Sequence, residues 1–525
     1  MGRLKPSRFT TSSLLSLMVL LIVAAVQAQS DFVPNGTLFP NPDGASSTYS
    51  TTGGGIDLTG PFFQSLGTND RSCGSCHQPS DGMSVSAAHV QQRFDATGGT
   101  DPIFRPVDGS NCNVDAAGRP INVSKTKLSD LYSLLRTRGL IRIGISVPAG
   151  ADFTVESVEN TNPYSAGCRS TTTISMYRRP LPSTNLRFLS AVMFDGRESS
   201  SATGTNKILF TCEGTPVTTP PCVPYPTSLL NDLAHQSVDA TRIHAQRAPN
   251  NPIDEPTQRD IVAFEMALFT AQATGNATGR LDAQGANGGP IPLIKQRFFI
   301  SINSSLGPAL EPPSGLKSPG DGRPFTPTIF DIFDEWRGIP PYKNARAAVE
   351  RGQDLFNSKI ITIRGVNGIN DLLPGGMASS SLDGTCGTCH DTPNVGNHSF
   401  PTPLNIGVGD FLKPDTPCVE KDKNITCPNT GGLDIRYLPK IKVCQTGTSN
   451  CVVTTDLGQA LIDGKYAHVG KIKGPILRGL SARAPFFHNG AAKTLLDVVN
   501  FYDVRFDIGF SSQEKDDLVA FLSSL

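Results

Sequence analysis

A five-residue motif occurs twice in the chain and constrains its fold more than any other feature. Residues 73–77 read Cys-Gly-Ser-Cys-His, and residues 386–390 read Cys-Gly-Thr-Cys-His. This CxxCH pattern is typical of c-type haem attachment, in which two thiols add to the haem vinyl groups and the histidine ligates the iron. Two residues between the cysteines let one turn of chain reach both vinyl groups. The sequence therefore predicts two covalently bound haem c groups.

Two other chemistries also use closely spaced cysteines. A zinc site would need a second pair of ligands nearby, and a redox CxxC motif rarely carries a histidine immediately after it. Haem attachment is therefore the favoured interpretation of both copies. It assigns four thiols to the covalent links and two imidazoles to the irons: Cys73, Cys76, Cys386, Cys389, His77 and His390.

The N-terminus has the composition of a secretory signal. Basic residues precede an apolar stretch over residues 14–26, and the small residues up to Ala28 suit cleavage after that position. The apolar stretch is short for a membrane span, which needs about 20 residues, and an uncleaved anchor is the alternative. We therefore expect a periplasmic protein that has lost residues 1–28 and keeps no membrane span.

Composition narrows the class of protein and of partner. The 46 basic and 46 acidic residues cancel, which leaves no electrostatic basis for binding nucleic acid or an anionic membrane surface. Glycine (51) and proline (41) are plentiful, and aromatic residues make up only 7%. These values indicate a loop-rich globular protein with short helices.

The eight cysteines outside the two motifs agree with export, because disulfides persist in oxidising compartments such as the periplasm. Many connectivities are possible for eight cysteines, so proximity along the chain is the guide to pairing. It predicts four local disulfides: Cys112–Cys168, Cys212–Cys222, Cys418–Cys427 and Cys444–Cys451.

Apolar spacing predicts the secondary structure between these landmarks. We expect helices over residues 84–94, 127–135, 228–248, 256–273 and 345–356, and a strand pair formed by residues 141–147 and 153–158. Residues 203–228 are interpreted as an inserted loop. A helix and a glycine-rich loop precede both haem motifs, which places a domain boundary near residue 340. The predicted organisation is a signal over 1–28, an N-terminal haem domain over 29–340 and a C-terminal haem domain over 341–525.

Motifs near the C-terminus resemble those of a known family. Residues 474–480 read Gly-Pro-Ile-Leu-Arg-Gly-Leu, residues 484–490 read Ala-Pro-Phe-Phe-His-Asn-Gly, and residues 494–499 read Thr-Leu-Leu-Asp-Val-Val. With Phe-Asp-Gly-Arg at residues 194–197 and the two CxxCH motifs, the chain resembles the bacterial di-haem cytochrome c peroxidase and MauG superfamily. The resemblance covers both haem regions and most of the C-terminal segment.

The resemblance implies a fold, an activity and partners. We expect a mainly α protein with two cytochrome c-like haem domains, long loops and a small β element. The C-terminal haem would receive electrons, and the N-terminal haem would reduce hydrogen peroxide. The second partner would be a periplasmic electron donor, such as a small cytochrome or cupredoxin, or a protein or organic substrate. The family often holds calcium between its haems, and no residue of this sequence can be assigned to it.

The resemblance also implies a sixth ligand for the second haem. In peroxidases of the family a methionine follows the FHxG histidine at a fixed distance, and in MauG that position is a tyrosine. Counted from His488, the position falls on Tyr502, and no methionine follows Met377. Phenolate is a hard anionic donor that stabilises ferric iron. Tyr502 is therefore the predicted ligand, and the alternatives are a packing tyrosine and ligation by His488.

The first haem needs an openable distal site and a residue that moves a proton between the peroxide oxygens. His244 falls near the position of the family's acid–base glutamate, and we favour it as the distal proton handler. His89 falls near the family's displaceable distal histidine and is kept as a candidate ligand. For each, an ordinary core or surface histidine is the alternative. Arg197 is a candidate partner of a haem propionate, or else a turn-stabilising surface residue.

One departure from the family concerns electron transfer. The tryptophan between the family's haems is Phe194 here, and phenylalanine is much harder to oxidise, which leaves direct tunnelling between the haems. The leading hypothesis is a di-haem oxidoreductase of the peroxidase/MauG type. A second hypothesis is a non-catalytic electron carrier with two six-coordinate irons. A third is a binding module in which haem has only a structural role.

Overall fold

The structure is a computed structural model, which describes residues 31–160, 167–199, 227–298, 302–303, 328–340, 344–373, 375–399, 403–411, 419–421, 424–426 and 430–525. The predicted signal segment lies outside these ranges, as does the predicted inserted loop except for its last two residues. The predicted disulfides Cys212–Cys222 and Cys418–Cys427 lie outside them as well. Within the described ranges, every helix is too short or too polar to cross a membrane.

The α-helices are short, as the glycine and proline content predicts. They are α1 Ala87–Thr97, α2 Leu128–Leu131, α3 Ser133–Arg138, α4 Thr227–Ile243, α5 Glu255–Ala267, α6 Pro290–Ile294, α7 Asn344–Ser358, α8 Gly376–Ser379, α9 Ala460–Asp463, α10 Leu495–Phe506 and α11 Ser512–Ser523. Local chemistry sets their ends. Helix α10 begins with a capping box in which Thr494 and Asp497 each accept the other's backbone N–H. A second capping box, formed by Ser511 and Glu514, begins α11.

The strands form several small antiparallel sheets rather than one large one. They are β1 Phe32–Pro34, β2 Leu38–Asn41, β3 Gly44–Ser50, β4 Gly55–Asp57, β5 Ile141–Ser146, β6 Phe153–Glu159, β7 Thr173–Arg178, β8 Leu268–Gly275, β9 Gly279–Arg280, β10 Ile361–Arg364, β11 Ser381–Gly384, β12 Val419–Lys421, β13 Asn424–Thr426, β14 Lys440–Gln445 and β15 Cys451–Thr454. The largest sheet has the order β2-β3-β8-β9, and another has the order β15-β14-β6.

The expectation of a mainly α fold is wrong. The structure is 32% helical and 20% strand, with several sheets. Residues 268–273 were expected to continue a helix, but α5 ends at Ala267 and β8 follows at once. Residues Leu268–Ala271 are all buried, and a short buried run of this kind does not distinguish helix from strand. Pairing of β8 with the distant β3, for example Phe269 with Tyr49, decides the outcome.

The predicted strands near residues 141–147 and 153–158 exist, but the predicted pairing between them is wrong. Strand β5 pairs with β7, and β6 pairs with β14. The second pairing joins parts of the chain that are far apart in sequence, for example Val158 and Ile441. The apolar side chains on the inner face of this strand pair enclose a core with Leu457 and Leu461. Burial of that surface explains why the long-range pairing replaces a local hairpin.

The structure contains two of the predicted disulfides. Cys112 is bonded to Cys168, and Cys444 is bonded to Cys451. The second bond links the paired residues of β14 and β15. The remaining cysteines of the described ranges are the four of the CxxCH motifs, and all four are free thiols.

Candidate haem sites

Both CxxCH motifs adopt the same local structure. Cys73–Ser75 and Cys386–Thr388 each form one turn of 3-10 helix, preceded by a capping box from a hydroxyl residue. In each copy, the histidine's backbone N–H donates to the carbonyl of the first cysteine at 3.0 Å. Since the two thiols of each motif remain unbonded within this turn, both motifs present a pair of cysteines and a histidine in the arrangement that haem attachment requires.

The imidazoles of the two motifs are oriented by equivalent hydrogen bonds. His77 Nδ1 lies 3.0 Å from the Met83 carbonyl oxygen, and His390 Nδ1 lies 2.9 Å from that of Gly396. A carbonyl oxygen only accepts, so Nδ1 donates and Nε2 keeps the lone pair that ligates a metal. Burial lowers the pKa of His77 to about 4 and also lowers that of His390. Both rings are therefore neutral.

A cavity adjoins the first motif. It encloses about 1420 Å³, counting its open mouth, and Cys73, Cys76 and His77 form part of its wall. The predicted proton handler His244 and the predicted propionate partner Arg197 lie on the same wall. The free thiols, the neutral imidazole with its available Nε2 and the size of the space all fit a covalently attached haem.

A second cavity adjoins the second motif. It encloses about 1780 Å³, counting its open mouth, and its wall includes Cys386, Cys389 and His390. Tyr502 and His488 lie on the same wall, which contains no methionine among the described residues. Burial raises the pKa of the Tyr502 phenol well above its usual value. The donor set fits a haem, and Tyr502 would supply an anionic oxygen once a ferric iron takes the place of its proton.

His244 is held by a buried ion pair that sequence reasoning did not find. Its Nδ1 donates to Asp108 Oδ2 at 2.5 Å, and Arg71 donates to the other oxygen of the same carboxylate. Burial acts to raise the pKa of Asp108, but Arg71 and His244 outweigh it and lower that pKa. An ionised Asp108 fixes the imidazole with Nδ1 as donor, which leaves Nε2 as a proton acceptor at the cavity wall.

The other two candidates have different surroundings. His89 lies on α1, where its Nδ1 is 2.9 Å from Asp81 Oδ2, and it is not part of the wall of the first cavity. The structure therefore does not bring His89 together with His77. Arg197 Nη1 donates to Asp195 Oδ2 at 2.9 Å, so its guanidinium is partly committed to a protein carboxylate at the edge of the cavity.

The two cavities share a wall. Its common residues are Arg179, Pro180, Leu181, Pro182, Phe194 and Lys473. A layer one side chain thick therefore separates the two candidate haem sites. Phe194, at the position of the family's tryptophan, belongs to this layer, and its ring centroid lies 5.9 Å from that of His488.

Arg178, which itself lines the first cavity, anchors the shared wall. Its guanidinium donates to Asp195 Oδ2 at 2.5 Å and to Asp456 Oδ2 at 2.6 Å. The three side chains are at most 3% exposed. Asp195 follows Phe194 directly, and Arg179 follows Arg178, so this ion-pair cluster positions two residues of the wall. Arg178 donates to both carboxylate oxygens of Asp456, and this bidentate geometry makes the contact directional as well as attractive.

The cluster gives folding stability a dependence on pH. Burial acts to raise the pKa of Asp195, but Arg197 and Arg178 outweigh it and lower the pKa to about 2, against an ordinary value of 3.8. Ionised Asp195 therefore stabilises the fold above pH 4, by about 2 kcal/mol, and this contribution is lost as the pH falls from about 4 towards about 2.

Urea unfolding of wild type and Asp195→Asn at pH 7 and pH 3 measures the contribution of the Asp195 charge to the free energy of unfolding. We expect the stability gap between them to narrow at pH 3, and a constant gap would contradict the assignment.

Comparisons with known proteins support a peroxidase-like cytochrome as the class of this chain. No protein-family model matches the sequence. The chain is 26% identical over 222 residues to cytochrome-c peroxidase IdrP1 of Pseudomonas sp. (strain SCT), covering 38% of this chain and 54% of that protein. It is 32% identical over 149 residues to cytochrome-c peroxidase IdrP2 of Denitromonas iodatirespirans, covering 27% of this chain and 36% of that protein. The matches thus span about half or less of these relatives. They support the cytochrome c peroxidase family at most, with haem as cofactor.

Proposed function

We propose that the protein is a periplasmic di-haem c-type cytochrome that reduces hydrogen peroxide at the N-terminal haem. Electrons from a periplasmic donor would pass through the C-terminal haem. The observation that carries the proposal is the position of His244, held by Asp108 on the wall of the cavity that also contains His77. The names of the two relatives support peroxide as the oxidant.

In the proposed reaction, the haem and the protein side chains have different roles. Bound haem would supply the iron that binds peroxide and delivers electrons to it. His244 Nε2 would accept the proton of the oxygen nearest the iron and return it to the outer oxygen, which leaves as water. Asp108 stabilises the imidazolium formed in between, and Arg71 keeps Asp108 ionised. With two electrons and two further protons, one molecule of peroxide yields two molecules of water.

Electron transfer between the haems would cross the shared wall. Phe194 lines both cavities, so the path crosses an aromatic ring that is hard to oxidise. Because the shared wall is thin, we favour direct electron tunnelling between the two haems over electron hopping through an oxidised side chain. The alternative function, a non-catalytic electron carrier, rests on Phe194 and on ligation of the first iron by His89. The contact of His89 with Asp81 outside the first cavity disfavours that second requirement.

The proposal is tested by peroxide turnover of the purified holoprotein. We expect two haems per chain by pyridine haemochrome assay and peroxide-dependent oxidation of a reduced small cytochrome. A protein with two haems that does not react with peroxide would contradict the proposed peroxidase and favour the non-catalytic electron carrier. A protein with one haem would contradict both of these di-haem hypotheses.

Ligation of the second iron by Tyr502 is tested by substitution. In Tyr502→Phe we expect the ferric signal of the C-terminal haem in electron paramagnetic resonance to change and its reduction potential to rise, because an anionic donor stabilises ferric iron. Tyr466→Phe, which removes a hydroxyl from a tyrosine outside both cavities, is the control. Unchanged spectra in Tyr502→Phe, together with changed spectra in His488→Phe, would assign the ligand to His488 instead.

A further inference from the structure

Lys473 is a buried lysine in the wall that the two cavities share. It is 4% exposed, and it lines both cavities. Its backbone N–H donates to the carbonyl oxygen of Phe194 at 2.7 Å, which fixes the lysine against another residue of the same wall. Among the described residues, no carboxylate lies close enough to pair with its ammonium group. The lysine therefore carries its charge between the two candidate haem sites without a partner in the protein.

Other cations of the first cavity are paired within the protein. Arg71 contacts Asp108. Arg178 and Arg197 both contact Asp195. Arg197, the propionate partner expected from the sequence, is therefore partly neutralised by a carboxylate of the chain itself. Lys473 is free of such a commitment, which makes it the more available cation for a carboxylate group in the cavity.

The second cavity has a surplus of positive charge on its wall. The wall includes Arg179, Lys473 and Arg483, and among its described residues there is no aspartate or glutamate. The guanidinium of Arg179 donates to the carbonyl oxygens of Arg138 and Arg483. That of Arg483 donates to the carbonyl oxygen of Ile476. Backbone carbonyls carry no net charge, so the side chains of this wall leave its positive charge without compensation.

Packing alone does not explain a lysine at this place. Burial disfavours the charged form of an amine and lowers the pKa of Lys473 to about 7. An apolar side chain of similar length would fill the same space without that cost. A carboxylate beside the ammonium would offset the cost through a charge-assisted hydrogen bond. Haem fits this requirement, because it carries propionate side chains as well as the vinyl groups that the thiols need.

We propose that Lys473 binds a propionate of each haem and, as a positive charge between the two sites, raises the reduction potentials of both. A nearby positive charge favours the reduced form of an iron centre, and the effect is strong where water is excluded. The same contact would tie the two haems to one residue of the thin wall between them. The inference rests on the proposed attachment of haem to both motifs and not on peroxide turnover.

The test is a redox titration of the full-length holoprotein, followed by optical spectroscopy. In Lys473→Met we expect the potentials of both haems to fall and the propionate bending bands in resonance Raman spectra to shift. Lys473→Arg keeps the positive charge and should hold both potentials near those of wild type. Lys471→Met is the matched control. Lys471 is also buried and lies two residues away, but it pairs with Asp371 and belongs to neither cavity wall, so its removal should change neither potential.

Haem content is measured first in every variant. If Lys473→Met does not retain both haems, Lys473→Gln takes its place, because it removes the charge and keeps a polar side chain. Unchanged potentials, a fall at one haem alone, or equal falls in Lys473→Arg or Lys471→Met would each overturn the inference. A protein that shows the expected shifts but does not reduce peroxide would keep the role of Lys473 and contradict the peroxidase. Peroxide turnover without the shifts would do the reverse.

Discussion

Replacing His244 by alanine is expected to lower kcat/KM for hydrogen peroxide by about 10² to 10⁴-fold, the usual contribution of a general acid–base residue. The loss follows from the geometry of the site. His244 lies on the wall of the first cavity with Nδ1 bound to Asp108, so alanine removes the Nε2 that we propose as the proton acceptor. Steady-state kinetics with saturating electron donor measure the change.

The His244→Ala variant should remain folded and retain both haems. Asp108 keeps its ion pair with Arg71, and the side chain of His244 is 30% exposed. His235→Ala is the matched control, because His235 lies on α4, the helix that His244 directly follows, but is 65% exposed and contacts Glu198. We expect the control to leave turnover unchanged. Wild-type turnover in His244→Ala would show that another group moves the proton.

The largest expected loss of stability follows from Arg178→Met. The substitution leaves Asp195 and Asp456 buried beside an apolar side chain, and breaking a buried ion pair in this way costs about 3–5 kcal/mol. Arg197 still contacts Asp195, which places the expected value at the lower end of that range. Urea unfolding of the holoprotein at pH 7 measures the difference in the free energy of unfolding.

A control and a rescue make this result specific. Arg259→Met removes an exposed arginine that pairs with Glu255 on α5, and exposed pairs of this kind contribute little. The triple variant Arg178→Met, Asp195→Asn, Asp456→Asn should recover part of the lost stability, because it removes both unpaired charges. An Arg178→Met protein as stable as wild type would contradict the role of this cluster in fixing the shared wall.

Features set by neighbouring residues were predictable from the sequence. The CxxCH turns depend on contacts within five residues, and the bond between Cys444 and Cys451 lies between adjacent strands. The surroundings of His244 were only partly predictable. His244 was singled out by resemblance, but its partners Asp108 and Arg71 lie 136 and 173 residues before it. Apolar periodicity carries no signal for a contact between two polar side chains at such separations.

The fold, too, could be predicted from the sequence only in part. The change from α5 to β8 occurs within an apolar stretch, where helix and strand have similar local patterns, and the distant strand β3 decides between them. Likewise, β6 pairs with β14 because the resulting core buries Val158 and Ile441. Ser183 reaches His77 from a further segment of chain. These arrangements depend on which surfaces meet, and one sequence alone does not specify that.

The most direct test of the central claim is electron paramagnetic resonance of the ferric holoprotein before and after addition of one equivalent of hydrogen peroxide. We expect a high-spin signal from the N-terminal haem, where we propose that His244 moves the proton, and a low-spin signal from the C-terminal haem. Peroxide should remove the high-spin signal, and cyanide should convert it to a low-spin one. Two low-spin signals that neither peroxide nor cyanide changes would contradict the peroxidase and identify an electron carrier.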